Sequence, residues 1–329
     1  MTGHFVVLAQ TATELEKLSS TLIAGLGQGA IYALLALGFV IIFKATQVIN
    51  FAHGALAALG AYLVVYFAVT LNFPGRFLSQ VPDLVQWSVS ALIGVLGAAL
   101  VGLLIELLFI RPMIGEPLFS VAIITLGIDA ILRTITNDLI GTGIRNLDAP
   151  FGDNLLEDVF LWGNVIVPHS QIATILAAVV LLFLTALFFR TRTGTAMRAT
   201  AFDQESAMAQ GISVGKVFAL AWMIGASLAA VAGVFVAMPP RGAGATVTTA
   251  LVALRAFPVI VIGGLDSVVG AVVAGFGVGL VEVLAAIYLL PYSDTLGVGF
   301  STIIPWLLML AVLLIRPHGI FGTEEIRRV

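Results

Sequence analysis

The sequence predicts an all-α fold: a polytopic transmembrane helix bundle of about eight or nine spans, one or two of them broken. Three observations lead there. Of 329 residues, 60% are hydrophobic and 10% are charged, against about 25% charged in soluble domains. That is too little charge to cover a water-facing surface. Apolar runs near the roughly 20 residues that a helix needs to cross the hydrocarbon core recur along the chain. Within those runs small residues return at four-residue spacing, as at Gly25 and Gly29, Gly94–Ala98–Gly102, Gly225–Ala229–Gly233 and Gly275–Gly279. In lipid such stripes let helix backbones approach closely.

The first run, 21–43, follows a stretch in which Lys17 is the only Lys or Arg before residue 44. It lacks the basic start of a signal peptide and is too long for its apolar core, so it reads as a retained span. Runs at 51–71, 87–110, 117–140, 172–189 and 217–238 follow. The seventh, ALVALRAFPVIVIGG at 250–264, is short and carries Arg255 and Pro258. It is expected to be a broken or re-entrant helix, tolerated only where protein or a watery cavity surrounds it. Runs at 268–290 and 298–315 complete the set. The chain, 1–329, thus reads as one membrane-spanning domain with two notable connections, 141–171 and 190–216.

Orientation follows from the Lys/Arg bias of cytoplasmic loops. Arg190, Arg192, Arg198 and Lys216 crowd the connection 190–216, and alternation puts Lys44, Arg111, Arg316, Arg327 and Arg328 on the same side. The other side receives only Lys17, Arg76, Arg145 and Arg241. A multi-pass protein with its N-terminus outside and its C-terminus in the cytoplasm is the expectation. The external loop 141–171 carries Asp148, Asp153, Glu157 and Asp158 against Arg145, which is either an acidic docking face or an ordinary solvated loop. A net charge of −3 argues against nucleic acid as a partner. The absence of cysteine removes disulfides, thiolate metal sites and a cysteine nucleophile, and nothing suggests a metal or an organic cofactor.

Charges inside the spans need partners. Asp129 and Arg133 stand four residues apart in the fourth run, acid first, as a helical pair prefers. Each alone would cost about 2.5–3.5 kcal/mol at a helix centre, so pairing favours a structural clamp over a substrate site. Glu106 is expected near the cytoplasmic end, snorkelling to the interface. Glu282 is expected to bond a neighbouring helix or Arg255.

The cytoplasmic connection reads RTRTGTAMRATAFDQESAMAQGISVGK. Asp203 can cap a short helix and Gly211 can end it in a left-handed conformation. Glu205, Ser206, Ala207 and Gly211 have the spacing of the EAA-x3-G coupling motif in membrane subunits of ABC importers, with Ser206 in place of the first Ala. Arg198 belongs to the same connection. No Walker A sequence is present: Val217 stands where Ser or Thr would follow Gly215-Lys216, and position 210 is Gln. If ATP drives this protein, another chain binds it.

Three blocks in order carry a family resemblance: GLGQGAIYALLALGFVIIFKATQVINFAHGALAALGAY (25–62), RTGTAMRATAFDQESAMAQGISVGKVFALAWMIGASLAAVAGV (192–234) and LRAFPVIVIGGLDSVVGAVVAGFGVGLVE (254–282). Together they resemble LivH-type permeases of branched-chain amino acid ABC transporters, with Arg255, Pro258 and Asp266 where Lys, Ala and Gly are more usual. The resemblance implies the ABC importer permease fold in a bacterial cytoplasmic (inner) membrane. It also implies two ATP-binding subunits, a second, LivM-type permease subunit and an extracytoplasmic solute-binding protein. Transport would be by alternating access, with a small-molecule substrate, a branched-chain or other apolar amino acid, and no covalent chemistry in this chain. Relatives that take urea or short amides keep that cargo open as an alternative. A different class, an ion-coupled secondary transporter using Asp129, Glu106 or Glu282, and a structural scaffold are the competing readings.

Lys44, Gln47, Asn50 and His53 recur every three residues. In an unbroken helix each step of three drifts backward by about 60°, so they would not share one face. A break near 44–54 would let them converge beside a translocation path, where discontinuous helices meet charged substrate groups. Gln47, Asn50, Phe51, His53 and Gly54 are the path candidates; the competing role for Asn50 and His53 is interhelical glue.

Overall fold

In the computed structural model of the protein, the described residues are 14–77, 80–140, 143–150, 159–162, 165–297 and 299–323. Helix α1 (Glu14–Thr46) is the longest, 33 residues, about 50 Å at 1.5 Å per residue. Almost every side chain from Ala30 to Ile42 is buried, as expected of a helix that is apolar all round. It is enclosed most extensively by α10 (Val268–Tyr288), then by α8 (Val214–Ala237), α5 (His169–Phe188) and α9 (Val252–Gly263). Around this axis stand α2 (His53–Val65), α3 (Asp83–Ile105), α4 (Leu118–Ile140) and α11 (Ile304–Ile315). Two short helices, α6 (Arg192–Phe202) and α7 (Gln204–Ala209), fill the connection before α8. A two-stranded antiparallel hairpin, β1 (Val159–Trp162) and β2 (Val165–Pro168), precedes α5.

Seven helices are long and apolar enough to cross a membrane among the described residues, and a bent pair, Leu290–Leu296 with Phe300–Ile315, would make eight. The run at 250–264 is not among them, and that at 298–315 counts only as part of the bent pair. The 250–264 run forms Thr248–Gly263, about 24 Å of helix against a hydrocarbon core of about 30 Å.

The small-residue stripes sit where helices meet. A Cβ on Gly29 would lie 2.7 Å from Cα of Phe276, and one on Gly279 would strike the backbone of Gly29. A Cβ on Gly233 would strike the carbonyl of Ala57, so α2 and α8 also touch backbone to backbone. Glu282 of α10 accepts a 2.6 Å hydrogen bond from the hydroxyl of Tyr32, which joins α10 to α1 and resolves the choice of neighbour.

Glu106 does not snorkel. It is fully buried, and Arg111 donates to both its oxygens, Nε to Oε1 at 3.0 Å and a terminal nitrogen to Oε2 at 2.9 Å. The arginine reaches outward in its place. The cause is local: 106–110 form a π-helical turn, in which residues five apart, not four, stack. Asp153, Glu157, Asp158, Arg327 and Arg328 lie outside the described residues.

Candidate functional site

The break expected between residues 44 and 54 falls at 47–52. Gln47 has φ +57°, and its N–H still bonds the carbonyl of Phe43 at 2.7 Å, so α1 ends in a left-handed cap. The chain then climbs back beside α1. The His53 ring nitrogen Nε2 lies 3.0 Å from the carbonyl of Leu35. Leu35 is eleven residues before the end of α1, about 16 Å along it. The six residues 47–52 can reach about 20 Å when extended, enough to return to that level. Helix α2 therefore begins deep within the bundle.

Local chemistry explains why it begins there. Asn50 Oδ1 accepts the N–H of Ala52 at 3.0 Å, and its own carbonyl accepts that of His53 at 3.4 Å, a turn that Asn side chains favour. Thr125 of α4 accepts the N–H of Phe51 at 3.1 Å and anchors the broken segment. Two glycines provide the room. A Cβ on Gly38 would lie 3.0 Å from the His53 ring, and one on Gly54 would collide with the carbonyl of Ala250.

Asn50, Phe51, His53 and Gly54 line a small cavity of about 40 Å³ together with Arg133, Phe39, Phe257, Leu254 and Ile260. Phe39 meets both the His53 ring and Phe257 edge-on. Asn50 and His53 are 1% and 3% exposed, yet Asn50 Nδ2 and His53 Nδ1 have no hydrogen-bond partner. Their roles follow from the partners that are present. The N–H of Ala52 requires an oxygen, so Nδ2 is the unpartnered donor of Asn50. A carbonyl can only accept, so Nε2 of His53 carries the hydrogen and Nδ1 of the neutral ring is an unpartnered acceptor. Buried polar atoms are almost always bonded, and two of the exceptions lie beside this one cavity.

The break does not gather all four polar residues. Lys44 donates to the carbonyl of Asp266 at 3.2 Å. With Gln47 it lines a separate cavity of about 910 Å³, shared with Arg198, Phe202, Asp266 and His318. Gln47 thus sits apart from the other path candidates. Asp129 and Arg133 do pair, at 2.7 Å.

The coupling candidates occupy α6, α7 and their cap. Asp203 Oδ1 accepts the Ser206 N–H at 2.9 Å and Oδ2 accepts its hydroxyl at 2.7 Å. These bonds hold the Asp203 carboxyl below the usual aspartate range. Ser206, the departure from the Ala of the motif, thereby doubles the cap. Gly211, at φ +80°, ends the helix, and the Ile212 N–H bonds the carbonyl of Ala207 at 3.0 Å. Ala207 is buried while Glu205 is exposed. Arg198 bonds Thr195 at 3.1 Å.

Sequence reasoning missed four contributors. Thr125 lies one turn before Asp129, a signal at helical spacing. Phe39 and Phe257 are indistinguishable from core in sequence. Arg111 also donates to the carbonyl of Gly215 at 3.1 Å, tying the turn after α3 to the start of α8 at the end of the coupling connection.

The family model described as branched-chain amino acid transport system / permease component matches residues 21–313. The chain is 31% identical over 314 residues to the high-affinity branched-chain amino acid transport system permease protein BraD of Pseudomonas aeruginosa, covering 94% of this chain and 97% of that one. It is 28% identical over 320 residues to the LivH protein of the same description from Escherichia coli, covering 93% and 96%. The LivH of Salmonella typhimurium is 28% identical over 315 residues, with the same coverage.

Proposed function

We infer the function from one premise: the chain belongs to the permease-component family of branched-chain amino acid transport systems. It is a multi-pass membrane protein and a transport subunit. It passes branched-chain and other apolar amino acids across the bacterial cytoplasmic membrane, driven by two separate ATP-binding chains. A solute-binding protein delivers cargo outside, and a second, LivM-type permease completes the path. The end carrying residues 190–216 and the C-terminus face the cytoplasm.

The observation that carries this reading is the cavity at the broken helix. Its apolar wall of Phe39, Leu254, Phe257 and Ile260 suits an aliphatic side chain, and its unpartnered Asn50 and His53 atoms suit a polar headgroup. At about 40 Å³ it holds two or three waters and not leucine, so loading requires its walls to part. Alternating access supplies that motion. Closure of the ATPases moves α7, capped by Asp203 and carrying Glu205. Because α8 follows directly and packs on α1, α2 and α3, the displacement reaches the wall of the cavity. Arg111, bonded to Gly215, holds α3 to that moving start.

The unpartnered pair, one donor and one acceptor, also suits a neutral amide, which keeps urea and short amides as the second reading. Uptake of labelled leucine in cells with and without this gene, competed by isoleucine, alanine and urea, separates the two. Loss of leucine uptake on deletion, with competition by isoleucine, is expected. Unchanged leucine uptake with reduced uptake of urea or an amide would replace the proposed cargo.

A further inference from the structure

The Asp129–Arg133 pair does more than neutralise itself. Asp129 is the midpoint of α4 (Leu118–Ile140), and Arg133 is one turn further on. Thr125, Asp129, Arg133 and Thr136 follow at helical spacing along one side of that helix. At its lower end Thr125 holds the broken segment through Phe51. Arg133 lines the same cavity as Asn50 and His53. The pair is also incompletely bonded. Arg133 Nε lies 2.7 Å from Asp129 Oδ2, but its N–H is not aligned for a hydrogen bond, and Asp129 Oδ1 has no partner. Thr136 Oγ1 nearby has none either. A pair that existed only to lower the insertion cost of two charges would be expected to use its bonding capacity, because each buried orphan atom is itself costly.

The composition of the cavity tells what is missing. Its donors are the Arg133 guanidinium and Asn50 Nδ2. Its acceptor is His53 Nδ1, and a second, Asp129 Oδ1, stands behind the lining Arg133 as its ion-pair partner. Two donors and two acceptors, one of each charged, complement a group that carries both an anion and a cation. A neutral amide would leave both charges without counterparts once they parted.

We propose that Asp129 and Arg133 are the headgroup site for a zwitterionic α-amino acid during passage. Arg133, with Asn50, takes the carboxylate, and Asp129, released from Arg133, takes the ammonium. The ion pair closes the empty path, and the substrate exchanges with it charge for charge. No net charge enters or leaves the bundle, and the side chain lies against Phe39 and Phe257. This rests on the reading above that the cavity lies on the path. It adds that the path selects zwitterions by charge.

The test compares three forms of the chain in the complete importer, in proteoliposomes with the loaded solute-binding protein and ATP. Arg133→Gln removes the cation, Arg133→Lys restores charge without the planar fork, and the double variant Asp129→Arg/Arg133→Asp keeps an ion pair with inverted polarity. The readouts are membrane level, ATP hydrolysis stimulated by the binding protein, and leucine imported. Arg133→Gln is expected to lower leucine import roughly 10- to 100-fold, the loss of a charge-assisted bond, with stimulated ATP hydrolysis retained. Arg133→Lys recovers part of that import, and the inverted pair does not. Import at the wild-type level by the inverted pair would overturn the proposal and leave a structural clamp. So would loss of Arg133→Gln from the membrane with rescue of both level and import by the inverted pair. A wild-type chain that imports neither leucine nor isoleucine would instead overturn the functional reading beneath it.

Discussion

Among the described residues, two carboxylate–arginine pairs lie among the helices, and they are built differently. Glu106 is fully buried and both its oxygens are bonded by Arg111. The 41% exposed arginine side chain has a further bond to Gly215. Asp129 and Arg133, 16% and 31% exposed, share one contact and leave Oδ1 and Nε without hydrogen bonds. The first pair is a completed joint that fixes α3 to α8. The second stands half-way along α4 beside a cavity in which Asn50 Nδ2 and His53 Nδ1 are also unpartnered. Unpartnered buried polar atoms also occur at Trp222 and Arg241, but those of Asn50, His53 and the Asp129–Arg133 pair gather around one cavity.

That contrast breaks most visibly at Arg111. Arg111→Ala leaves Glu106 charged, buried and alone, a loss of about 3–5 kcal/mol for a broken buried pair. The amount of folded protein extracted from membranes should fall sharply, and a wild-type level would mean the joint is not structural. His53→Leu and Asn50→Leu act on the other side of the comparison. Assembly should persist while leucine import falls by about tenfold or more. Loss of assembly with the same loss of import would make these residues interhelical glue.

Gly54→Ala sharpens the picture at the cavity wall. Its added Cβ meets the carbonyl of Ala250, an overpacking that typically costs about 1–3 kcal/mol. Import should be reduced but not abolished, with the change in transport rate exceeding any change in protein level. The smallest effect belongs to Asp203→Ala. It removes the cap of α7, so stimulated ATP hydrolysis and import should uncouple in part with insertion intact. The sign of its pH dependence follows from the lowered carboxyl. The cap is fully present above the ordinary aspartate value of about 3.9 and is lost as pH falls through the lower folded value. The variant should therefore differ from wild type at neutral pH and converge with it only in acid.

Much of this arrangement is legible in the residues themselves. The three-residue recurrence of Lys44, Gln47, Asn50 and His53 is incompatible with a continuous amphipathic helix, and the break is where that mismatch puts it. Asp203 and Gly211 bound α7 because capping and left-handed termination are local effects. What depends on distant packing is not legible. Gln47 parts company with Asn50 because α1 ends at the left-handed Gln47 and the non-helical segment after it leads to a different cavity. Arg133 joins Asn50 and His53 through tertiary contact between α4 and the broken segment. Glu106 and Arg111 are five apart, a spacing that ordinary helical geometry separates and a π-helical turn brings together. The seventh apolar run has the composition of a span and too little length to be one.

The central claim is that substrate passes through the cavity at the start of α2. The chain has no cysteine, so a single one can be placed without background. Ala253 lines that cavity, and Leu310 on α11 is exposed on the outer surface of the chain. The decisive measurement is the rate at which Ala253→Cys reacts with a small thiol reagent in the complete importer, with Leu310→Cys as reference. With ATP present, addition of the leucine-loaded binding protein should slow labelling at 253 and leave 310 unchanged. Labelling at 253 that ignores substrate, or that fails in every nucleotide state, would contradict the account.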